Sequence, residues 1–428
     1  MTERYDLLGI GFGPAGLATA AAIADAREAD GASAFGRVLF LERERDTVWQ
    51  RGMLIRETDI QHHYFRDLAT PRDPRSRFTF ANYLKEHDRI YEFGNLVYGT
   101  SGGAVSRLEW ADYLRWAAGL LRDYVEYGAN VTDVAPDAAG FTVTLAGGRR
   151  LHARDVVVAC GRRPYVPAEL APHLGSTLFH SFEFAGRAAA LDRAAPLRFA
   201  VIGSGQNAAE VIGYLHDHFP ASTITSVHRS VAFRQLDLGH FSNEVFFPAE
   251  VDYFHALERP QRAAELASLR YTNYGAIDEQ AADRIYRKIY EDRVLGTVRV
   301  RFAIRSRIES VAREASAYRI ELAEINTGAR RTLTADVVVA CTGFTEDALP
   351  AFLGSSRELI ALDDDGAPVL DRDYRVRLRA ASAGRLFFTG ITERTHGLSD
   401  STSFSMMALK AERLVRAVAE RSSAAVPA

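Results

Sequence analysis

The chain has 428 residues, of which 47% are hydrophobic and 25% are charged. Its 52 Lys and Arg residues nearly balance its 55 Asp and Glu residues, so the formal net charge is only −3. This length predicts two or three domains with buried cores, and the charge balance does not indicate binding to nucleic acid or to a membrane surface. No uncharged apolar stretch is long enough to span a bilayer and no signal peptide opens the chain, so we expect a cytoplasmic protein.

The first predicted element is a buried strand that runs through a glycine-rich turn into a helix. The turn contains Gly9, Gly11, Gly13 and Pro14. We expect Gly9 to permit the tight turn and Gly11 to let the backbone approach a pyrophosphate at the amino end of the helix. The next apolar run ends at Glu42, an acid suited to accept a hydrogen bond from a ribose 2′-hydroxyl. These features predict a Rossmann-like domain that binds FAD.

A second glycine-rich turn lies much later in the chain, again between an apolar run and a helical pattern. It comprises Gly203, Ser204, Gly205, Gln206 and Asn207. Where the first site carries its acid, the strand after this turn is followed instead by Arg229. A guanidinium can bind the 2′-phosphate of NADPH through two hydrogen bonds. The second site is therefore predicted to bind NADPH rather than NADH.

The two cysteines, Cys160 and Cys341, each end a strand-like run. Because they are far apart in the sequence, they indicate neither a disulfide framework nor a metal site. The runs themselves, 155–161 and 336–343, share the pattern Asp-Val-Val-Val-Ala-Cys shortly before a glycine. This repeat resembles the strand-to-glycine segments of two-dinucleotide-binding flavoproteins, in which an NADPH domain is inserted into the FAD domain.

The predicted fold class is therefore α/β, with two Rossmann-like domains and a smaller helical element that binds substrate. We expect the FAD-binding domain at 1–165 and 335–428. The NADPH-binding domain is expected at 195–240 and 295–334, and the helical substrate-binding element at 241–294. The active site should lie where the three parts meet, at the carboxyl ends of the parallel strands.

Further motifs are spread along almost the whole chain: Trp49 with 52–54, then 65–70, 72–74, 78–80, 243–244, 272–274 and 395–399. In this order they resemble the microbial N-hydroxylating flavoprotein monooxygenases, which hydroxylate the side-chain amine of ornithine or lysine in siderophore biosynthesis. The resemblance also implies a homo-oligomer, because members of this family often form tetramers.

The resemblance implies a reaction that uses FAD, NADPH and O2. In the family, NADPH reduces FAD, oxygen adds at flavin C4a, and the resulting hydroperoxide passes its distal oxygen to a neutral amine nitrogen. A side-chain amine with a free pKa of about 10.4 must therefore lose its proton. A water-poor pocket with amide partners disfavours the charged amine. The identity of the amine and the number of oxidations stay open.

Several site residues follow from the same resemblance. Asn243 and Asn273 match family asparagines that contact the substrate and the nicotinamide cofactor, and they are the predicted catalytic residues. Arg66 stands where the family has a lysine that pairs with the substrate carboxylate. Trp49 and Gln61 are expected to contact the FAD.

The predicted substrate loop departs from the family pattern at His62 and His63. With Arg66, these histidines place three side chains that can carry a positive charge within five residues. We interpret this as a pocket for a more anionic or differently shaped amine, with His63 in contact with the substrate. Near the end of the chain, Leu398 and Ser399 match the family loop that approaches the amine.

Two other functions stay open on the sequence. A Baeyer–Villiger or sulfide-oxidising flavin monooxygenase shares the fold and the oxygen chemistry, although the segment 179–182 lacks the pattern of those enzymes. A non-catalytic flavin-binding regulatory protein is the second alternative, and the intact NADPH turn, Arg229 and the two asparagines argue against it. A two-dinucleotide disulfide reductase is disfavoured, because it needs two redox cysteines close in sequence, whereas Cys160 and Cys341 are far apart.

Overall fold

The structure is a computed structural model that describes residues 3–30, 35–98, 104–237, 239–400 and 403–423. Within these ranges, no helix combines the length and the apolar character that crossing a bilayer requires. The core is divided between two Rossmann-like sheets and their covering helices.

The strands and helices of the described residues follow in chain order. The strands are β1 (Glu3–Ile10), β2 (Val38–Glu42), β3 (Asp59–His63), β4 (Ala104–Ser106), β5 (Val125–Tyr127), β6 (Val131–Asp137), β7 (Gly140–Leu145), β8 (Arg150–Val158), β9 (Arg163–Pro164), β10 (Leu178–His180), β11 (Arg198–Ile202), β12 (Thr223–Val227), β13 (Val300–Ala303), β14 (Ser306–Glu314), β15 (Ala317–Glu324), β16 (Arg330–Ala335), β17 (Val337–Ala340), β18 (Phe344–Thr345) and β19 (Leu386–Phe388). The α-helices are α1 (Pro14–Asp30), α2 (Phe80–Glu86), α3 (Ile90–Tyr98), α4 (Arg107–Leu120), α5 (Phe184–Ala189), α6 (Gln206–His218), α7 (Pro248–Ala256), α8 (Arg259–Ser268), α9 (Arg270–Asn273), α10 (Glu279–Val294), α11 (Glu393–His396) and α12 (Met407–Ser423).

The first sheet joins a parallel core to an antiparallel meander. Its order is β5-β2-β1-β8-β7-β6, with β19 beside β8. The strands β5, β2, β1, β8 and β19 run parallel, and β7 and β6 continue from β8 in antiparallel pairs. The Val-rich end of β8 is buried, as expected for a parallel strand covered on both faces. Because β1 and β2 run parallel, their carboxyl ends place the first glycine turn and Glu42 at the same edge of the sheet.

The second sheet is parallel throughout, with the order β10-β17-β11-β12-β13. The predicted domain bounds are wrong here, because β10 and β17 belong to this sheet. The sequence pattern assigns residue 335 onward to the FAD-binding domain and begins the NADPH-binding domain at residue 195. The Val-rich run of β17 is equally suited to either parallel sheet, so only its pairing with β10 and β11 decides its place.

The two connections between the sheets run side by side. The chain leaves the first sheet after β8, and β9 then pairs antiparallel with β18. The chain therefore returns after Thr345 and reaches the first sheet again at β19.

The segment 241–294 is mostly helical, but it does not pack as one separate element. Its helix α10 lies against α6 of the second sheet, where Ala281 and Ile285 join the apolar core. Its helix α7 instead lies against α11, and Phe254 fills the space beside Gly397. The segment thus spans the junction between the two sheets.

Candidate cofactor and amine site

The first glycine turn is made by Gly11, which has a φ of +98°. A Cβ at this position would lie 2.9 Å from the carbonyl oxygen that follows β8. Our prediction that Gly9 permits the turn is wrong, because Gly9 lies within β1 and its missing Cβ makes room for the Phe40 ring. Gly13 faces open space, and Pro14 begins α1. Open space in front of a helix amino terminus fits the pyrophosphate of a dinucleotide.

Glu42 ends β2 beside this turn, as predicted. Its Oε2 accepts the backbone N–H of Phe12 at 2.7 Å, and its Oε1 accepts the N–H of Glu44 at 2.9 Å. These bonds hold the carboxylate in place and leave it lone pairs for a ribose hydroxyl. Trp49 is half-buried nearby and packs edge-to-face on Phe404 at 5.5 Å between ring centroids. This edge of the first sheet therefore fits FAD.

The second glycine turn has the same construction. Gly203 has a φ of +136°, and a Cβ there would lie 2.2 Å from the carbonyl oxygen of the residue after β17. Ser204 is half-buried in the turn, and Gly205 immediately precedes α6. Arg229 is exposed just beyond the carboxyl end of β12, the strand next to β11. The turn fits a dinucleotide, and the role of Arg229 toward a 2′-phosphate stays a prediction.

The two predicted cofactor sites are joined through a carboxylate that sequence reasoning missed. Gln61 Nε2 donates to Asp278 Oδ2 at 3.4 Å, and Gln206 Nε2 donates to the same oxygen. The N–H of Asp278 in turn donates to Gln206 Oε1 at 3.0 Å. Asn207 instead donates to Ser181 Oγ at 3.4 Å. A residue from each predicted cofactor site thus contacts Asp278, which caps α10.

A second contact between the two halves is the ion pair of Arg107 and Glu210. Arg107 begins α4, Glu210 lies on α6, and both side chains are buried. The guanidinium donates to both carboxylate oxygens at 2.7 Å, and also to the backbone carbonyls of Met53 and Asp59. The pair therefore connects the first domain directly to the helix that follows the second glycine turn.

Arg66 and Asn243, 177 residues apart in sequence, meet in the structure. Arg66 Nη2 donates to Asn243 Oδ1 at 3.4 Å, and the guanidinium lies 5.4 Å from the centroid of the Phe246 ring. Burial lowers the pKa of Arg66 from its usual value. The structure thus brings together the predicted carboxylate-binding residue and a predicted catalytic asparagine.

The two histidines beside Arg66 lie in different surroundings, and the pKa of each is lowered. His62 lies between Trp110 and Phe404, with ring centroids 5.1 Å from each, and its Nε2 is buried without a partner among the described residues. Burial lowers the pKa of His62 to about 3. His63 is exposed, and its pKa is lowered first by partial burial and then by Arg66. His62 is therefore a neutral ring, and our interpretation of three side chains that can carry a positive charge is corrected to two, Arg66 and His63.

Asn273 ends α9 at the same junction, and its Nδ2 is buried without a partner among the described residues. A ligand or an ordered water would supply the acceptor that this buried amide lacks. The adjacent Tyr274 is held by Glu393, at 2.5 Å from its hydroxyl, and by Arg162, at 2.8 Å. These contacts fix the short loop that carries Asn273.

Leu398 and Ser399 are buried, and the residue that follows them is fixed by a buried ion pair. Asp400, the next residue, forms a buried ion pair with Lys410, whose Nζ lies 3.1 Å from Asp400 Oδ2. Lys410 Nζ also donates to Thr392 Oγ1 at 2.8 Å. Burial lowers the pKa of Lys410 and raises that of Asp400. No local pattern distinguishes this lysine from the surface cations of α12, so sequence reasoning missed it.

The geometry defines the class of protein. One sheet carries a turn that fits FAD, a second sheet carries a turn that fits NADPH, and amide and guanidinium groups lie where the two halves meet. The chain is a two-dinucleotide-binding flavoprotein, which confirms the predicted fold class.

Comparison with known proteins identifies the family. The family model of L-lysine 6-monooxygenase/L-ornithine 5-monooxygenase matches residues 3–346. The L-ornithine N(5)-monooxygenase of Ajellomyces capsulatus is 32% identical over 97% of this chain and 90% of its own. The ornithine N-hydroxylase of Kutzneria sp. 744, solved with reduced FAD, NADP⁺ and L-ornithine, superposes with a TM-score of 0.90 at 30% identity, covering 98% of this chain and 100% of that one. The L-lysine 6-monooxygenase of Pseudomonas syringae gives 0.87 at 39% identity, covering 97% and 99%.

The chain therefore belongs to the L-lysine 6-monooxygenase/L-ornithine 5-monooxygenase family. It is an NADPH-dependent flavin monooxygenase that N-hydroxylates an amine, with FAD and NADPH as its cofactors. The prediction of the family, the cofactors and the reaction type is confirmed. The Baeyer–Villiger, sulfide-oxidising and regulatory alternatives are not favoured by these comparisons.

Proposed function

We propose that this enzyme hydroxylates the terminal primary amine of an amino acid of the ornithine or lysine type, whose carboxylate is bound by Arg66. The observation that carries the proposal is the contact between Arg66 and Asn243 at the junction of the two halves. A guanidinium binds a carboxylate through two parallel hydrogen bonds, which a diamine without a carboxylate could not use. The ornithine- and lysine-acting relatives support the same substrate class.

The protein residues hold and orient the amino acid. When bound, FAD supplies the oxygen-activating chemistry and NADPH supplies the reducing hydride. Asn243 and Asn273 present neutral amides, which can bind an uncharged amine without favouring its ammonium form. Leu398 and Ser399 lie on a loop fixed by a buried ion pair, so we propose that they close the amine end of the pocket against water. His63 contacts the substrate at the exposed rim.

The cofactor roles of individual residues are part of this proposal. Those proposed to bind FAD are Gly9, Gly11, Gly13, Pro14, Glu42, Trp49 and Gln61. Those proposed to bind NADPH are Gly203, Ser204, Gly205, Gln206, Asn207, Arg229 and Asn273. Within the FAD set, Gly9 contributes through packing, because the space that its missing Cβ leaves is filled by the Phe40 ring.

The proposal extends to the setting of the enzyme. We infer a homo-oligomeric protein of the cytoplasm, with a tetramer as the expected assembly from the family resemblance. Size-exclusion chromatography with light scattering tests the tetramer, and a monomer across the working concentration range would contradict it.

The test is product formation across a panel of amines: ornithine, lysine, putrescine, cadaverine, aspartate and glutamate. NADPH oxidation, hydroxylated amine and hydrogen peroxide are measured together for the native enzyme, Arg66→Ala and Arg66→Lys. We expect hydroxylamine product from ornithine or lysine, loss of that preference in Arg66→Ala, and partial rescue by Arg66→Lys. Equal turnover of diamines would overturn the carboxylate contact. Peroxide alone from every amine would overturn the proposed substrate class.

A further inference from the structure

We propose that Asp278 is a positioning residue that holds Gln61 and Gln206 together and thereby sets the distance between the two cofactors for hydride transfer. The inference rests on the cofactor placement in the proposed function. Gln61 belongs to β3 of the first domain, and Gln206 is the first residue of α6, directly after the second glycine turn. Asp278 precedes α10, which packs on α6.

Every polar group of Asp278 in this contact is engaged. Its Oδ2 accepts from both glutamine amides, while its Oδ1 accepts the backbone N–H of Ala281 at 2.6 Å and so caps α10. Its own N–H donates to Gln206 Oε1. The Gln206 side chain therefore makes two hydrogen bonds to one residue, which fixes its orientation.

The backbone of Gln61 adopts a rare conformation at this junction. Gln61 has a φ of +58°, a left-handed conformation that a residue with a Cβ rarely adopts. Its N–H donates to Asp59 Oδ1 at 2.8 Å, and its side chain reaches Asp278 across the domain boundary. Releasing the side-chain contact would let the loop relax toward an ordinary conformation, and the amide predicted to face FAD would move with it.

Asp278 lies among other carboxylates, so its negative charge is repelled and is favourable only where hydrogen-bond donors compensate for the repulsion. Asp59 interacts with the charges of both Asp278 and Glu210, and Gln206 Nε2 donates to both of those carboxylates. Arg107 is the guanidinium that pairs with Glu210. Burial, followed by the Asp278 charge, raises the pKa of Asp59. A cap alone could be supplied by an uncharged serine or asparagine. What a carboxylate adds here is a second oxygen, which accepts hydrogen bonds from both glutamines while the first oxygen caps the helix.

Two substitutions separate the cap from this shared acceptor. Asp278→Asn can keep the cap through its Oδ1, but its amide nitrogen cannot accept from Gln61 or Gln206. Asp278→Ser also keeps a capping oxygen and removes the reach to both glutamines. Asp283→Asn is the matched control, because it removes an exposed acid from the same helix without contacting the junction.

The primary measurement is anaerobic stopped-flow reduction of the bound FAD by NADPH. We expect the limiting rate constant to fall about tenfold or more in Asp278→Asn and Asp278→Ser, because a small misplacement of reacting groups has large effects on rate. FAD content and reduction by dithionite should match the native enzyme. Hydrogen–deuterium exchange of the FAD-free protein should become faster in segments 59–61 and 203–207, whereas Asp283→Asn should match the native protein in every measurement.

Native reduction rates and native exchange in both Asp278 variants would overturn the proposal. Parallel loss of FAD content and dithionite reduction in both variants would also overturn it, because Asp278 would then support folding alone. If the native enzyme releases only peroxide with every amine, the proposed substrate class fails, yet the comparison of reduction rates still tests Asp278.

Discussion

Removing one partner of the buried ion pair between Arg107 and Glu210 should strongly destabilise this two-domain protein. The side chains of Arg107 and Glu210 are 4% and 1% exposed. Both carboxylate oxygens accept from the guanidinium at 2.7 Å. Glu210 has one further donor in Gln206, at 3.2 Å. Removing either partner would leave a buried charge whose main counter-ion has gone.

From this geometry we expect Glu210→Ala to lower the free energy of unfolding by about 3–5 kcal/mol, the range observed when one member of a buried pair is removed. Arg107→Ala should cost a similar amount. The double variant removes both charges, so its cost should fall short of the sum of the two single costs by about 1–3 kcal/mol. This shortfall measures the interaction between the two side chains.

The assay is equilibrium unfolding in urea with FAD in excess, followed by circular dichroism and by flavin fluorescence. Glu183→Ala is the matched control, because Glu183 pairs with Arg187 at the surface, where both side chains are well exposed. Such a pair contributes about 0.2–1 kcal/mol. If Glu210→Ala costs no more than this control, or if the two single costs add fully in the double variant, the reasoning about the buried pair is refuted.

Three further predictions concern the site. Arg66→Ala should raise the apparent KM for the amino acid about ten- to a hundredfold, since a charge-assisted contact is lost. The rate of flavin reduction by NADPH should stay unchanged in stopped-flow measurements. Slower reduction of the flavin with a native KM would show that Arg66 does not bind the substrate carboxylate. Arg229→Ala should raise the KM for NADPH about ten- to a hundredfold and leave that for NADH nearly unchanged, and an unchanged KM for NADPH would place the 2′-phosphate elsewhere. The folded-state pKa of His62 is about 3, below its unfolded value of about 6.5, so the unfolded state binds the proton first and stability falls as the pH drops through this interval. His62→Phe should therefore gain stability over the native protein by about 1 kcal/mol per pH unit between pH 6.5 and 4; an equal difference in urea midpoints at pH 7.5 and pH 5 would contradict the neutral state of His62.

The sequence by itself determined the fold class, the family and the two cofactors. Strand, glycine turn and helix are neighbours along the chain, so the turns at Gly11 and Gly203 could be recognised from local order. The acid at Glu42 and the base at Arg229 stand at set positions after those turns, which allowed FAD and NADPH to be assigned. Motifs of a known family predict site roles for Arg66 and the two asparagines, and these roles stay predictions.

The tertiary structure alone decided which distant residues meet and what charge they carry. The Val-rich run of β17 fits either parallel sheet, so its place depended on strand pairing. The charge of His62 depends on burial between two aromatic rings, which no spacing in the sequence reveals. Asp278 reads locally as a helix cap, and only folding brings Gln61, 217 residues away, within 3.4 Å of it. Local patterns follow from neighbouring residues, whereas burial, ionisation and contacts between domains arise when the whole chain packs.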